Sequence, residues 1–245
     1  MIRKTAELLN RLFRKFKNKL FSLAHLVEIN GHYMYARGID RNSLILDLGA
    51  STGDFSSQIS RDFGCKCYAL EASLSSYNLI PDNDLIKKFN LAVCKKSGPV
   101  TFYLSSNPDT NSIIQAVSKK WGIKTNITVE GTSLEDFLAG NKIESIDVMK
   151  IDTEGAEIEI FDSASDNTLS SMQQICVEFH RFCEDFKCKE DIVRIKKRLE
   201  NLGFLCITFV KKNPDMLFLN MHKIHLGHWQ RAYLKLLISL LHLMP

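Results

Sequence analysis

The chain has 245 residues, 45% of them hydrophobic and 24% charged, a balance ordinary for a soluble globular protein. It suits one sizeable α/β domain with appendages, or at most two small domains. The formal net charge of +4 is divided: residues 1–41 hold nine basic side chains against three acidic ones, and residues 211–245 hold five against one. An acidic body between two basic ends argues against an active face for nucleic acid. It favours ends that meet something anionic, a membrane surface or a partner. The seven cysteines are an odd number behind no secretory signal, so they read as reduced thiols of a cytoplasmic protein. Cys65 and Cys67 lack the spacing of a redox pair, and Cys183 and Cys188 lack the paired spacing of a zinc site.

In chain order, Leu9, Leu12, Phe16, Leu20, Leu23 and Val27 recur at three- and four-residue spacing. Lys4, Arg11, Arg14, Lys15, Lys17 and Lys19 lie largely off that stripe. Residues 2–27 are thus expected to form a basic amphipathic helix, too interrupted by charge to span a bilayer. It would pack on the domain or a second copy, or lie on anionic lipid. Residues 44–48, a continuous apolar run broken only by Asp47, predict a parallel strand buried on both faces. Gly49 allows a sharp turn and a close ligand, and Gly53 lets the helix at 52–63 start near the strand. The free N–H groups at that helix start suit a nucleotide-like guest. Residues 65–71 predict a second strand ending in Glu71, eighteen residues beyond Gly53. An acid near that offset meets ribose hydroxyls in dinucleotide-type folds.

Residues 85–93 predict a third strand, Gly98-Pro99 a turn, and 100–104 an alternating strand. Residues 105–112 read as a polar loop beside a site, 127–129 as a short strand, and 133–138 as a helix capped by Thr132 or Ser133. Residues 146–152 predict a buried strand ending at Asp152, with Glu154 and Glu157 in the turn and helix start behind it. Three carboxylates at the carboxyl end of a strand repel one another unless something uses them. Residues 174–179 predict the next strand, which sends Glu178 and His180 to one side. A helix at 191–201 closed by Gly203, and strands at 205–210 and 216–221, follow. Residues 225–245, with Trp229, Tyr233 and a leucine-rich run at 236–241, predict an apolar helix too short to span a bilayer. It suits a dimer or domain contact, or an interfacial anchor.

The run Asp47-Leu48-Gly49-Ala50-Ser51-Thr52-Gly53-Asp54 resembles motif I of class I S-adenosylmethionine-dependent methyltransferases. Thr132 to Leu138 (TSLEDFL), Ile146 to Glu157 (IDVMKIDTEGAE) and Val177 to His180 (VEFH) are similar to the FkbM branch of that class. The resemblance spans about residues 43–221, and its most specific part is Lys150 to Glu157. Ser51 stands where many such loops carry glycine, Ala72 where proline is common, and Thr153 where an aliphatic residue is usual. None of these departures removes a carboxylate from the motifs.

The resemblance, which covers neither basic tail, implies a Rossmann-like α/β fold with a seven-stranded, mostly parallel sheet and flanking helices. With the terminal helices read from spacing and charge, the chain is expected to divide into a basic arm at 1–41, a methyltransferase domain at 42–222 and an apolar C-terminal helix at 223–245. It implies S-adenosyl-L-methionine in contact with Asp47, Gly49, Ala50, Ser51, Gly53, Asp54, Glu71, Ala72, Leu91, Ala92 and Asp152. By that reading Glu71 holds the ribose hydroxyls and Leu91-Ala92 lies against adenine. The implied reaction is O-methylation of a sugar, glycolipid, polysaccharide or secondary-metabolite hydroxyl. Asp152, Glu154, Glu178 and His180 are the candidate catalytic groups, with Asp152 or His180 as base and Glu154 orienting the acceptor. No metal ligand is assigned, although Asp152, Glu178 and His180 are of types that suit magnesium or manganese. The alternatives are a non-catalytic adaptor acting through its tails, or a nicotinamide oxidoreductase with a similar first turn. The expected partners are a hydroxyl acceptor, a membrane surface met by the terminal helices, or a second copy, at the inner face of a membrane.

Overall fold

The structure, a computed structural model, describes residues 18–107, 110–120, 122–180, 186–209 and 215–243. Of the expected N-terminal helix, residues 2–17 lie outside the described residues, as do Cys183, residues 108–109 of the polar loop and Val210. The visible part of that helix ends at Leu23. Val27, expected on its stripe, sits instead in β1 (Leu26–Ile29), which pairs antiparallel with β2 (His32–Tyr35). The cause is local. Asn30 and Gly31 take φ values of 44° and 85°, both left-handed, forming the two-residue turn whose twist matches a hairpin. Gln174 fastens this hairpin to the body, accepting from Tyr35 N at 2.8 Å and donating to Tyr35 O at 2.9 Å. Phe21, Leu26, Ile29 and Met34 share one core with Ile45, Phe55 and Val148 of the body.

The chain then runs through β3 (Leu44–Leu48), α1 (Asp54–Phe63), β4 (Lys66–Leu70), α2 (Leu74–Tyr77), β5 (Ile86–Phe89), β6 (Ala92–Val93), β7 (Gly98–Ser105) and α3 (Gln115–Lys120). It continues through β8 (Ile123–Thr132), α4 (Leu134–Gly140), β9 (Ile146–Ile151), α5 (Glu157–Ser163), α6 (Asp166–Ser171) and β10 (Met172–Glu178). The last elements are α7 (Phe186–Asn201), β11 (Phe204–Thr208), β12 (Asp215–Asn220) and α8 (His228–Leu243). Seven strands form the central sheet in the order β11-β12-β10-β9-β3-β4-β5. Only β12 runs against its neighbours, so the sheet is mostly parallel, as expected. One core layer, around Leu46, Met149, Phe161 and Phe179, covers one face; the layer shared with the hairpin covers the other.

Sequence order reverses at β3: the chain moves outward to β4 and β5, then crosses back to place β9 on β3's other side. Ligands of open α/β sheets bind outside the carboxyl ends of the strands at such a reversal. The expected third strand at 85–93 is two strands. Asn90 donates its Nδ2 to Glu71 O at 2.8 Å and Ala72 O at 3.1 Å, and the chain leaves the main sheet there. β6 joins a separate three-stranded sheet, β6-β8-β7. The short strand expected at 127–129 is the middle of the ten-residue β8, most of which is exposed on both faces. A strand that buries neither face carries no apolar alternation, so its length cannot be read from periodicity.

Candidate active site

The switch point opens a cavity of about 250 Å³. Its floor is the turn after β3. Gly49 has φ of 77°, and a Cβ there would collide with the carbonyl oxygen of Asp152. Only glycine brings the two strand ends this close. Glu71, buried at the end of β4, accepts from Ser51 N at 2.8 Å on one oxygen and from Ser73 N at 2.7 Å on the other. Burial pushes its carboxyl up, and the two N–H donors oppose that shift. Each oxygen keeps a further lone pair for a ligand hydroxyl. Leu91, Ala92, Val93, Phe102 and Ile113 supply an apolar wall beside it. A carboxylate with lone pairs to spare next to an apolar wall, over a floor without a Cβ, fits a nucleoside with a polar tail.

Among the expected cofactor residues, Gly49, Ser51, Glu71, Ala72, Leu91, Ala92 and Asp152 line this cavity. Asp47, Ala50, Gly53 and Asp54 do not. Asp47 points inward instead, accepting from Ser56 Oγ at 2.6 Å and meeting Lys150 Nζ at 3.1 Å, with no exposed surface. Gly53 caps α1 with φ of 82° against Ile80 and Pro81, and Asp54 accepts from Thr52 Oγ1 at 2.9 Å.

The other half of the site is charged. Lys150, buried in β9, donates to Gly49 O at 2.6 Å and faces Asp47 Oδ1 at 3.1 Å and Asp152 Oδ2 at 3.6 Å. Burial would lower its pKa, but Asp47 and Asp152 overcome that and hold it well above the usual lysine range. His32, delivered by the hairpin, lies 3.4 Å from Asp152 Oδ2. Burial works to raise the Asp152 carboxyl, yet Lys150, His32 and His180 together hold it far below the usual carboxylate range.

His180 Nδ1 lies 3.1 Å from Glu157 Oε1, and its Nε2 lies 3.4 Å from Glu154, 3.6 Å from Asp152 and 3.8 Å from Glu178. Burial works to lower the ring's pKa, but these acids raise it to about 10. Glu157 does more than face the ring. The same oxygen accepts from Thr153 N at 3.1 Å and Gly155 N at 3.0 Å, fixing the turn that carries Glu154. Glu154 itself has φ of 55°, and Ser112 Oγ donates to its carbonyl at 2.6 Å. Burial, with Asp152, Glu157 and Glu178 adding to it against the opposing His180, pushes the Glu154 carboxyl up to about 7. Asp215, across the sheet from Glu178, is pushed up to about 6 by burial and by Glu178.

Asp152 and Glu154 line the cavity, whereas Glu178 and His180 stand behind them. Lys150, His32 and His180 make Asp152 a weak base, and the acids around His180 favour the protonated form of its ring. Asp152, Glu178 and His180 bring one ligand atom each within 4.8 Å of one another. Lys150, His32 and the turn-fixing role of Glu157 are absent from the sequence reading. A lysine inside an apolar strand is itself a signal, because buried lysines are paired.

The fold and the cleft define a class I S-adenosylmethionine-dependent methyltransferase. The sequence matches the methyltransferase FkbM domain over residues 47–206, about two thirds of the chain, and the protein belongs to that family. No curated protein sequence matched it. Among solved structures, it is similar to a putative caffeoyl-CoA O-methyltransferase from Staphylococcus aureus (TM-score 0.41, 12% identity, covering 89% of this chain and 90% of that one). It is also similar to Aeropyrum pernix fibrillarin with natively bound S-adenosyl-L-methionine (0.42, 13%, covering 82% and 73%). A third is Geobacter metallireducens precorrin-6y C5,15-methyltransferase (0.38, 12%, covering 74% and 79%). The cofactor of the family is S-adenosyl-L-methionine, and the residues of the cavity fit it.

Proposed function

We propose that this methyltransferase acts on a hydroxyl of a sugar, of a glycolipid or polysaccharide, or of a secondary metabolite, with Glu154 as the proton acceptor. The observation that carries this reading is the Glu154 carboxyl, on the cavity wall, backed by His180 and held near neutrality at about 7. A general base works best when its pKa lies near the working pH. The cofactor supplies a methyl group on a cationic sulfur. With the methyl group supplied by the cofactor, Glu154 would take up the proton of the acceptor hydroxyl as that oxygen is methylated. The imidazolium of His180 steadies Glu154 while it is ionised, and loses that contact's electrostatic strength once the carboxyl is neutral. Asp152, on the cavity wall, offers only acceptor oxygens, which suits an acceptor molecule rich in hydroxyl donors.

The test is incubation of the protein and of Glu154→Gln with isotopically methyl-labelled cofactor and fractionated cell glycans, followed by mass spectrometry of the products. The reading expects an O-linked methyl group and strongly reduced transfer by the variant. Label on nitrogen or carbon, or undiminished transfer by Glu154→Gln, contradicts it.

A further inference from the structure

We propose that the two ends of the chain form one face that docks on an anionic lipid bilayer, with Trp229, Leu236 and Leu23 entering the headgroup region. Helix α8 is held to the body by Leu234 and Leu237, each 1% exposed. On a flank of the same helix Trp229 is 89% exposed and Leu236 56% exposed. Their spacing of seven residues places them on a single ridge. Tyr233, between them on that ridge, donates its hydroxyl to Leu20 O at 3.1 Å. This contact sets the ridge beside the helical residues 18–23, where Leu23 is 61% exposed. A tryptophan this open to water needs a reason.

Charge identifies the occupant. From Met216 to Pro245 the chain contains no acidic residue, while Lys223, Arg231 and Lys235 lie there. From Leu8 to Val27 there is again none, and Lys19 lies within the visible helix. A second copy meeting this face across a two-fold axis would set the basic residues of the two ends against their own kind. An anionic leaflet offers the complement: negative headgroups for the lysines and arginines, and an interface in which tryptophan is at home. Among the described residues no helix is long and apolar enough to cross a membrane, so the contact is one of lying on the surface. This inference is independent of which hydroxyl is methylated.

The full chain is to be sedimented with large vesicles of phosphatidylcholine alone and of phosphatidylcholine mixed with phosphatidylglycerol, at low and high salt. Binding is expected only to the mixed vesicles, weakened by salt, and reduced about tenfold or more in the Trp229→Ser/Leu236→Ser double variant. Both side chains are exposed, so the variant keeps its melting temperature, and Arg231→Glu/Lys235→Glu provides a second variant that must also lose binding. Wild-type protein that ignores mixed vesicles, or variants that bind them equally, overturns the proposal. So does a salt-resistant dimer in solution that the double variant dissociates, since the face then belongs to a second copy.

Discussion

The donor half of the cleft, from Gly49 to Glu71, is made of backbone, whereas the acid half, from Asp152 to His180, is made of side-chain charge. In the first half the polar groups are met by fixed N–H and C=O partners: Ser51 N and Ser73 N on Glu71, and Gly49 N on Leu70 O at 3.0 Å. Such a surface is set by backbone geometry. In the second half four carboxylates share Lys150, His32 and His180. Crowding there drives neighbouring acids apart: Asp152 stays ionised while Glu154 is poised near 7. One cleft thus joins a half built on preorganised backbone dipoles to a half in which neighbouring charges set one another's ionisation.

Lys150 joins the halves, and breaking it should have the largest effect. Lys150→Met strands the buried Asp47 and Asp152 without their ammonium, a loss of about 3–5 kcal/mol expected from removing one partner of a buried pair. Urea unfolding measures it. Next, Glu154→Gln should lower the turnover rate roughly 10²–10⁴-fold, the range general-base catalysis supplies, while affinity for S-adenosylhomocysteine stays near wild type. Glu71→Gln should do the reverse. Weakening charge-assisted hydrogen bonds of about 1.5–3 kcal/mol lowers S-adenosylhomocysteine affinity roughly ten- to hundredfold by calorimetry. Its effect on turnover at saturating cofactor is the smaller one.

A further effect is one of pH on stability. His180 is held protonated up to about 10 against an ordinary 6.5. The stability it adds is complete below about 6.5 and is lost as pH rises through 10. Glu154 acts in the same sense, its folded-state value of about 7 exceeding the ordinary 4.5, so that stability falls between those values as pH rises. The melting temperature should therefore decline between pH 6.5 and 10, and His180→Gln should flatten that decline. A profile equally steep in the variant would separate His180 from the acid half.

Much of this arrangement was legible in the chain itself. The apolar run at 44–48, Gly49 and Glu71 place the donor half, and the block from Lys150 to Glu157 places the acid half. The inward turn of Asp47 was not legible, because a position at a strand end says nothing of which side the carboxylate faces; there it meets Lys150. The hairpin was missed although Asn30-Gly31 between alternating strands is a strong turn signal, because the helical spacing up to Val27 competed with it. His32 was lost with it. No local pattern reveals that His180 meets Asp152, Glu154 and Glu157 of the turn after β9 together with Glu178 of β10, and so the contacts of its ring needed three dimensions.

The most direct measurement is the pH dependence of methyl transfer by wild type and Glu154→Gln at saturating cofactor. A base must be ionised to act, so the wild-type rate should rise with pH through about 7 and then level off. The residual rate of the variant should show no such rise. A variant that keeps the same limb near pH 7 would place the proton acceptor elsewhere and contradict the account.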